Sequence, residues 1–183
     1  MNLPNKLTIL RIIMIPFFIA AFYLPESYAW VVTSLLFLVA YATDYVDGWL
    51  ARKLDQITVF GKFMDPIADK LLTISALVML LVQGSVSPII LILVIGREFI
   101  VSGIRLVVAS GGTVIAASWL GKAKTMSQFI AIQLALLEPI LQRLFGEWVS
   151  VFIQILLWIS TILTVWSGWD YVNQHKAFIL QTK

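Results

Sequence analysis

The chain contains no cysteine, which removes disulfides and thiolate metal sites from consideration and leaves the redox compartment open. Histidine occurs once, as His175 in a polar tail, where it reads as a solvated residue and not as a ligand. Charge is scarce: 13% of the 183 residues are Asp, Glu, Lys or Arg against 60% hydrophobic, and the mean hydropathy is +0.94. That balance lies far outside soluble norms and is that of an integral membrane protein. A net charge of +3, with no Lys/Arg cluster interleaved with aromatics, argues against a nucleic-acid partner. Linkers, low-complexity stretches and obvious repeats are also missing, so residues 1–183 are expected to form a single membrane domain.

What is abundant is long apolar runs. They predict an all-α protein of about six transmembrane helices, over residues 8–23, 28–51, 66–82, 86–109, 125–137 and 148–169, with a short interfacial segment at 2–11. The basic start resembles a signal peptide, but its apolar run continues to Leu24 with no small-residue cleavage site before Glu26, so it is expected to be retained. Residues 113–124 read as a semi-polar connection. Six spans put both termini on one side. On that side fall Lys6, Arg11, Arg52, Lys53, Lys62, Lys70, Lys122, Lys124, Lys176 and Lys183, while the opposite loops hold Arg143 against Glu26, Glu138 and Glu147. The positive-inside rule makes the first side cytoplasmic.

The acids concentrate in one place. From Asp44 to Asp69 the sequence is DYVDGWLARKLDQITVFGKFMDPIAD, a pattern D-x2-D-G-x2-A-R-x8-G-x3-D-x3-D. At about 100° per residue, Asp47 lies about 60° from Asp44, and Gly48 and Ala51 lie within about 40° of it, so two carboxylates share a helix face with two minimal side chains. Asp65 and Asp69 are about 40° apart on the next helix, which Pro66 is expected to open from its first turn. Residues 53–60 are long enough to reverse the chain and bring the two acidic faces together.

Four carboxylates meeting at one point cannot all stay ionised without a cation. Oxygen ligands with no Cys or His nearby point to magnesium, manganese or calcium. Gly48, Ala51 and Gly61 then leave room for a phosphate and sugar to approach backbone. The plainer alternative makes these acids helix-end residues paired with Arg52, Lys53, Lys62 and Lys70; it suits any one of them better than all four together. Arg97 lies about 16 Å along its helix, near mid-membrane, where an ionised residue faces a cavity or a partner. With Arg105, Lys122 and Lys124 it is expected to form an anion pocket beside the metal, the alternative being an ion pair between helices. The Trp and Phe excess is what membrane interfaces attract, and Ser102 and Gly103 suit helix packing.

The eight fixed positions from Asp44 to Asp69 resemble the signature of the CDP-alcohol phosphotransferases. MNLPNKLTILR at the start, with GREFIVSGIR and VIAASWLGKAKT later, resembles the bacterial phosphatidylglycerophosphate synthases of that superfamily. The resemblance covers residues 1–125 in motif terms. It implies magnesium- or manganese-dependent transfer of a phosphatidyl group from CDP-diacylglycerol to sn-glycerol 3-phosphate, at the cytoplasmic face of the bacterial inner membrane, by a homodimer among membrane lipids.

By match, Asp44, Asp47, Asp65 and Asp69 hold metal, and Asp69 is the general base. Asp44, Gly48, Ala51, Arg52 and Gly61 meet the nucleotide donor, with Asn5 and Thr8 added from the amino-terminal motif. Arg97, Arg105, Lys122 and Lys124 match the positions for the acceptor phosphate. A cardiolipin- or phosphatidylserine-type synthase is the neighbouring alternative. A divalent-cation transporter is the alternative from another class, against which stand the small residues beside Asp44 and the placing of all four acids at one face of the bilayer.

Overall fold

The apolar runs fold as helices that bury alanines, Leu and Ile side chains and a few phenylalanines between them and leave other aliphatic and aromatic side chains outside. The computed structural model describes residues 3–53, 59–110 and 119–181. Among the described residues it is all-helical: α1 (Leu3–Ala21), α2 (Glu26–Lys53), α3 (Val59–Val82), α4 (Pro88–Ser110), α5 (Trp119–Leu136), α6 (Glu138–Phe145) and α7 (Trp148–Gln181). Helix α1 packs on α2 and α3, and α7 packs on α4 and α5. Ala40, Ala68, Ala76, Ala131 and Ala135 are buried at these contacts, where a short side chain lets backbones approach.

The interior is continuous. Phe18 meets Phe22 edge-on with ring centroids 5.2 Å apart, and Phe37 stacks on Phe129 at 5.9 Å. Phe129 in turn stacks on Tyr41 at 3.9 Å, carrying the aromatic packing to the wall of the site described below. Outward, α7 presents Val151, Phe152, Ile155, Ile159, Ile162 and Trp166, a surface suited to lipid. The segments Glu26–Asp44 and Trp148–Lys176 are long and apolar enough to cross a bilayer. Helices α5 and α6, bent by 68° at their junction, make a third candidate if taken as one broken span. Helices α1, α3 and α4 carry ionised side chains and turn several of them inward, including Arg11 and Glu98.

Four expectations need correcting. Helix α1 runs unbroken from Leu3 to Ala21, so residues 3–11, expected as a segment apart from the first span, are continuous with it. Pro4 sits in its first turn, where a missing N–H costs nothing, and Asn5, Thr8 and Arg11, three residues apart, are buried along one face. Helix α3 opens at Val59, which puts Pro66 inside it and not at its start. The fixed φ of proline fits either position, so the residue alone does not choose. Helix α5 begins at Trp119, so Lys122 and Lys124 stand on a helix and not on a connection; residues 111–118 lie outside the described residues. Helix α7 continues to Gln181, twelve residues past Trp169, and its extension is held by Gln174 donating to Asp170 at 2.8 Å and by His175 Nδ1 2.8 Å from the Tyr171 carbonyl.

The turn after α3 shows how sharply one helix ends. Ser85 N–H reaches the Leu80 carbonyl at 2.9 Å and Gly84 N–H the Leu81 carbonyl at 2.9 Å, with Gly84 at φ +80°. This is a Schellman cap, and the left-handed position is one that glycine fills without strain.

Candidate active site

Helices α2, α3, α4, α5 and α7 surround a cavity of roughly 500 Å³. One wall carries Asp44 from α2 with Asp65 and Asp69 from α3; the other carries Arg97 and Arg105 from α4 with Lys122 and Lys124 from α5. All seven belong to the expected site. Asp47, Gly48, Ala51 and Arg52 lie on the last turns of α2, and their immediate surroundings fall outside the described residues. Gly61 is buried in the first turn of α3.

The acids are held from a third helix. Arg11 of α1 is fully buried, and its Nη1 lies 2.6 Å from Asp44 Oδ1 while its Nε donates to the Ala40 carbonyl at 3.3 Å. Thr8, one turn earlier, donates its hydroxyl to Asp65 Oδ1 at 2.6 Å. One face of α1 thus fixes an acid on α2 and an acid on α3. Thr8 and Asn5 were expected near the donor nucleotide; Thr8 meets Asp65, itself an acid of the expected site, and Asn5 is buried on the same face. The signal that could have found Arg11 was present: an arginine inside an apolar run must find an anion.

The cationic wall has its own organisation. Glu98 accepts from Lys124 Nζ and from Arg97 Nη1 at 3.0 Å, and Lys70 Nζ is 4.0 Å from its other oxygen. Arg97 also donates to Ser167 Oγ of α7 at 3.1 Å. The backbone of α7 passes so close that a Cβ built on Gly168 would fall 2.8 Å from Arg97 Cγ. Tyr171, one turn on, lines the cavity, and its buried hydroxyl has no hydrogen-bond partner among the described residues. The last helix, which reads as little more than hydrophobic, therefore supplies three residues to the site. We expect Gly168→Ala to displace Arg97, raising the Michaelis constant for an anionic substrate bound at this wall about fivefold to tenfold and lowering the melting temperature by a few degrees, the usual cost of an overpacked contact. Steady-state kinetics beside a melting curve would check this.

A family model described as CDP-alcohol phosphatidyltransferase matches residues 1–166. The chain belongs to the CDP-alcohol phosphatidyltransferase family. Among its relatives in this family is a protein of Bacillus subtilis named CDP-diacylglycerol–glycerol-3-phosphate 3-phosphatidyltransferase, 43% identical and aligned over 95% of each chain. Proteins of the same name from Haemophilus influenzae and Rickettsia felis are 42% and 40% identical, covering 98% and 97% of this chain and 96% and 97% of their own.

CDP-alcohol phosphatidyltransferases are generally dependent on a divalent metal. The donor set here suits one: Asp44, Asp65 and Asp69 bring hard oxygen ligands to one cavity, with neither thiolate nor imidazole among its described lining residues. The like charges of Asp44 and Asp65, and of Asp44 and Asp69, act on each other across it. Among the described residues no three acids approach closely enough to hold one ion by themselves, and Asp47, the remaining acid of the motif, lies outside the described side chains.

Proposed function

We propose that this chain transfers a phosphatidyl group from CDP-diacylglycerol to the 1-hydroxyl of sn-glycerol 3-phosphate, giving phosphatidylglycerophosphate and CMP. The observation that carries the proposal is the two-walled cavity: acids on one side for a metal-bound pyrophosphate, cations on the other for a phosphorylated alcohol. Relatives named for this reaction align with nearly the whole chain. A neutral acceptor would leave the cationic side chains of the pocket in excess over Glu98, the carboxylate that pairs with Arg97 and Lys124, whereas glycerol 3-phosphate brings a dianion.

In this reading Asp69 takes the proton from the acceptor hydroxyl. The acceptor oxygen forms a bond to the phosphatidyl phosphorus, the bond from that phosphorus to the CMP oxygen breaks, and CMP leaves. Magnesium or manganese held by Asp44, Asp47, Asp65 and Asp69 would neutralise the pyrophosphate charge. Gly48, Ala51 and Gly61 admit the nucleotide close to backbone, and Arg52 meets its phosphate. Arg97, Arg105, Lys122 and Lys124 orient the acceptor by its phosphate.

Residues 1–183 act as one membrane domain of six spans, counting α5 with α6 as one. Both termini and the cavity mouth face the cytoplasm, at the inner membrane of a bacterium, and the enzyme works as a homodimer among lipids that include its own donor. This placement lets the acyl chains of CDP-diacylglycerol remain in the bilayer while the head group reaches the acids.

Purified protein in proteoliposomes, given CDP-diacylglycerol, magnesium and a panel of acceptors, tests the reading through CMP release. Release with glycerol 3-phosphate alone is the expected result. Release with phosphatidylglycerol or serine would move the chain to a neighbouring synthase, and ion flux without CMP would make it a transporter. Arg105→Ala and Lys122→Ala, both exposed at the cavity rim, are each expected to raise the Michaelis constant for glycerol 3-phosphate about fivefold to twentyfold while that for the donor stays unchanged. An unchanged acceptor value would remove them from the pocket.

A further inference from the structure

The acceptor wall contains an anion that the reaction itself does not call for. Glu98 sits in the middle of α4, and its side chain is only 11% exposed. A buried carboxylate is costly unless it is paired, and this one is paired three times, from three helices: Lys70 on α3, its neighbour Arg97 on α4 and Lys124 on α5. Ser102, one turn on, donates to the Glu98 carbonyl at 2.5 Å and accepts from Lys70, tying that lysine to the same turn.

We propose that Glu98 is the positioning residue of the acceptor pocket, holding Lys124 and Arg97 where an acceptor phosphate can meet them. This rests on the acceptor reading given above. Lys70, Arg97 and Lys124 carry three positive charges and Glu98 one negative. With Arg105 and Lys122 on the same cavity, the pocket stays cationic around that one carboxylate, as a bound phosphate requires. Without the carboxylate, Lys124 and Arg97 would face each other as like charges in a medium of low dielectric, and Lys124, on a flexible stem, would swing away. Arg97 is fixed from its other side by Ser167 and by the close backbone at Gly168, so Lys124 is the partner that Glu98 chiefly controls. Glu98 lines the cavity together with Lys70, Arg97 and Lys124, so what it pairs with is also what an acceptor there would meet.

The test is kinetic, on the full-length protein in proteoliposomes. Glu98→Gln keeps the shape and removes the charge. It is expected to raise the Michaelis constant for glycerol 3-phosphate about tenfold or more while changing that for CDP-diacylglycerol less than about twofold. Glu98→Asp should recover part of the loss. In a Lys124→Gln background the same Glu98→Gln change should have less than about a third of its effect, because the residue it acts through is gone. Equal loss for both substrates, no recovery by Asp, or full additivity with Lys124→Gln would overturn the proposal. If Glu98→Gln does not yield folded protein, Lys124→Gln decides, because Lys124 is the partner through which Glu98 acts: an acceptor-to-donor ratio of Michaelis constants equal to wild type in that variant defeats the idea. A wild-type protein that releases no CMP with glycerol 3-phosphate would defeat the functional reading instead, so the two failures are distinguishable.

Discussion

Asp69→Asn is expected to lower CMP release about a hundred- to ten-thousandfold, the range in which loss of a positioned general base falls. The substitution keeps size and polarity but removes the capacity to accept the acceptor hydroxyl's proton. Asp69 is the right residue to remove because it alone of the three described acids lines both the main cavity and a recess of about 20 Å³ behind it, where it shares walls with Glu98, Lys124 and Gln128. It therefore stands between the acid wall and the cations that would hold the acceptor. Donor binding should survive largely intact, since Asp44, Asp47 and Asp65 remain. Single-turnover CMP release and equilibrium binding of CDP-diacylglycerol are the two measurements needed. An equal loss in both would make Asp69 a donor-site residue and take the base assignment away from it.

Arg11→Met should be nearly as damaging, although Arg11 lies behind the reacting groups. Its side chain is fully buried, while the Asp44 side chain it pairs with is 39% exposed. Removing one partner of a buried ion pair costs about 3–5 kcal/mol; the water that reaches Asp44 puts this case near the lower end. The remaining carboxylate would be free to turn, and two contacts from α1 to α2, to Asp44 and to the Ala40 carbonyl, would go. We expect a clearly lowered melting temperature in detergent, turnover down by about a hundredfold, and a higher magnesium concentration for half-maximal rate. An unchanged melting temperature with an unchanged magnesium requirement would show that Asp44 is held by something else.

Much of this site could be read from spacing. Asp44, Asp65 and Asp69 repeat at helical intervals, and Arg97, Arg105, Lys122 and Lys124 are conspicuous in apolar surroundings, so a common cavity was a natural expectation. What spacing does not encode is which side chain on one helix meets which on another. Arg11 and Asp44 are 33 positions apart, and Glu98 and Lys124 are 26 apart; only packing joins them. Glu98 could have been singled out as a lone acid in an apolar helix, yet its neighbour Arg97 offered a local partner and hid the reach to α5. Ser167 and Gly168 gave less warning still, because in a lipid-facing helix small residues are ordinary. The helix boundaries shifted for a similar reason: Pro66 is equally at home in a first turn and in an interior whose packing tolerates it.

The dependence on α7 has a consequence for biogenesis. Ser167, Gly168 and Tyr171 come later in the chain than every other described residue of the site, and the seat for Arg97 does not exist until their helix has docked. A nascent chain that has already inserted its motif acids thus has no finished pocket for a phosphorylated alcohol. The cationic wall is assembled only when α7 packs on α4, so a product truncated before Ser167 would hold the motif acids without the seat for Arg97.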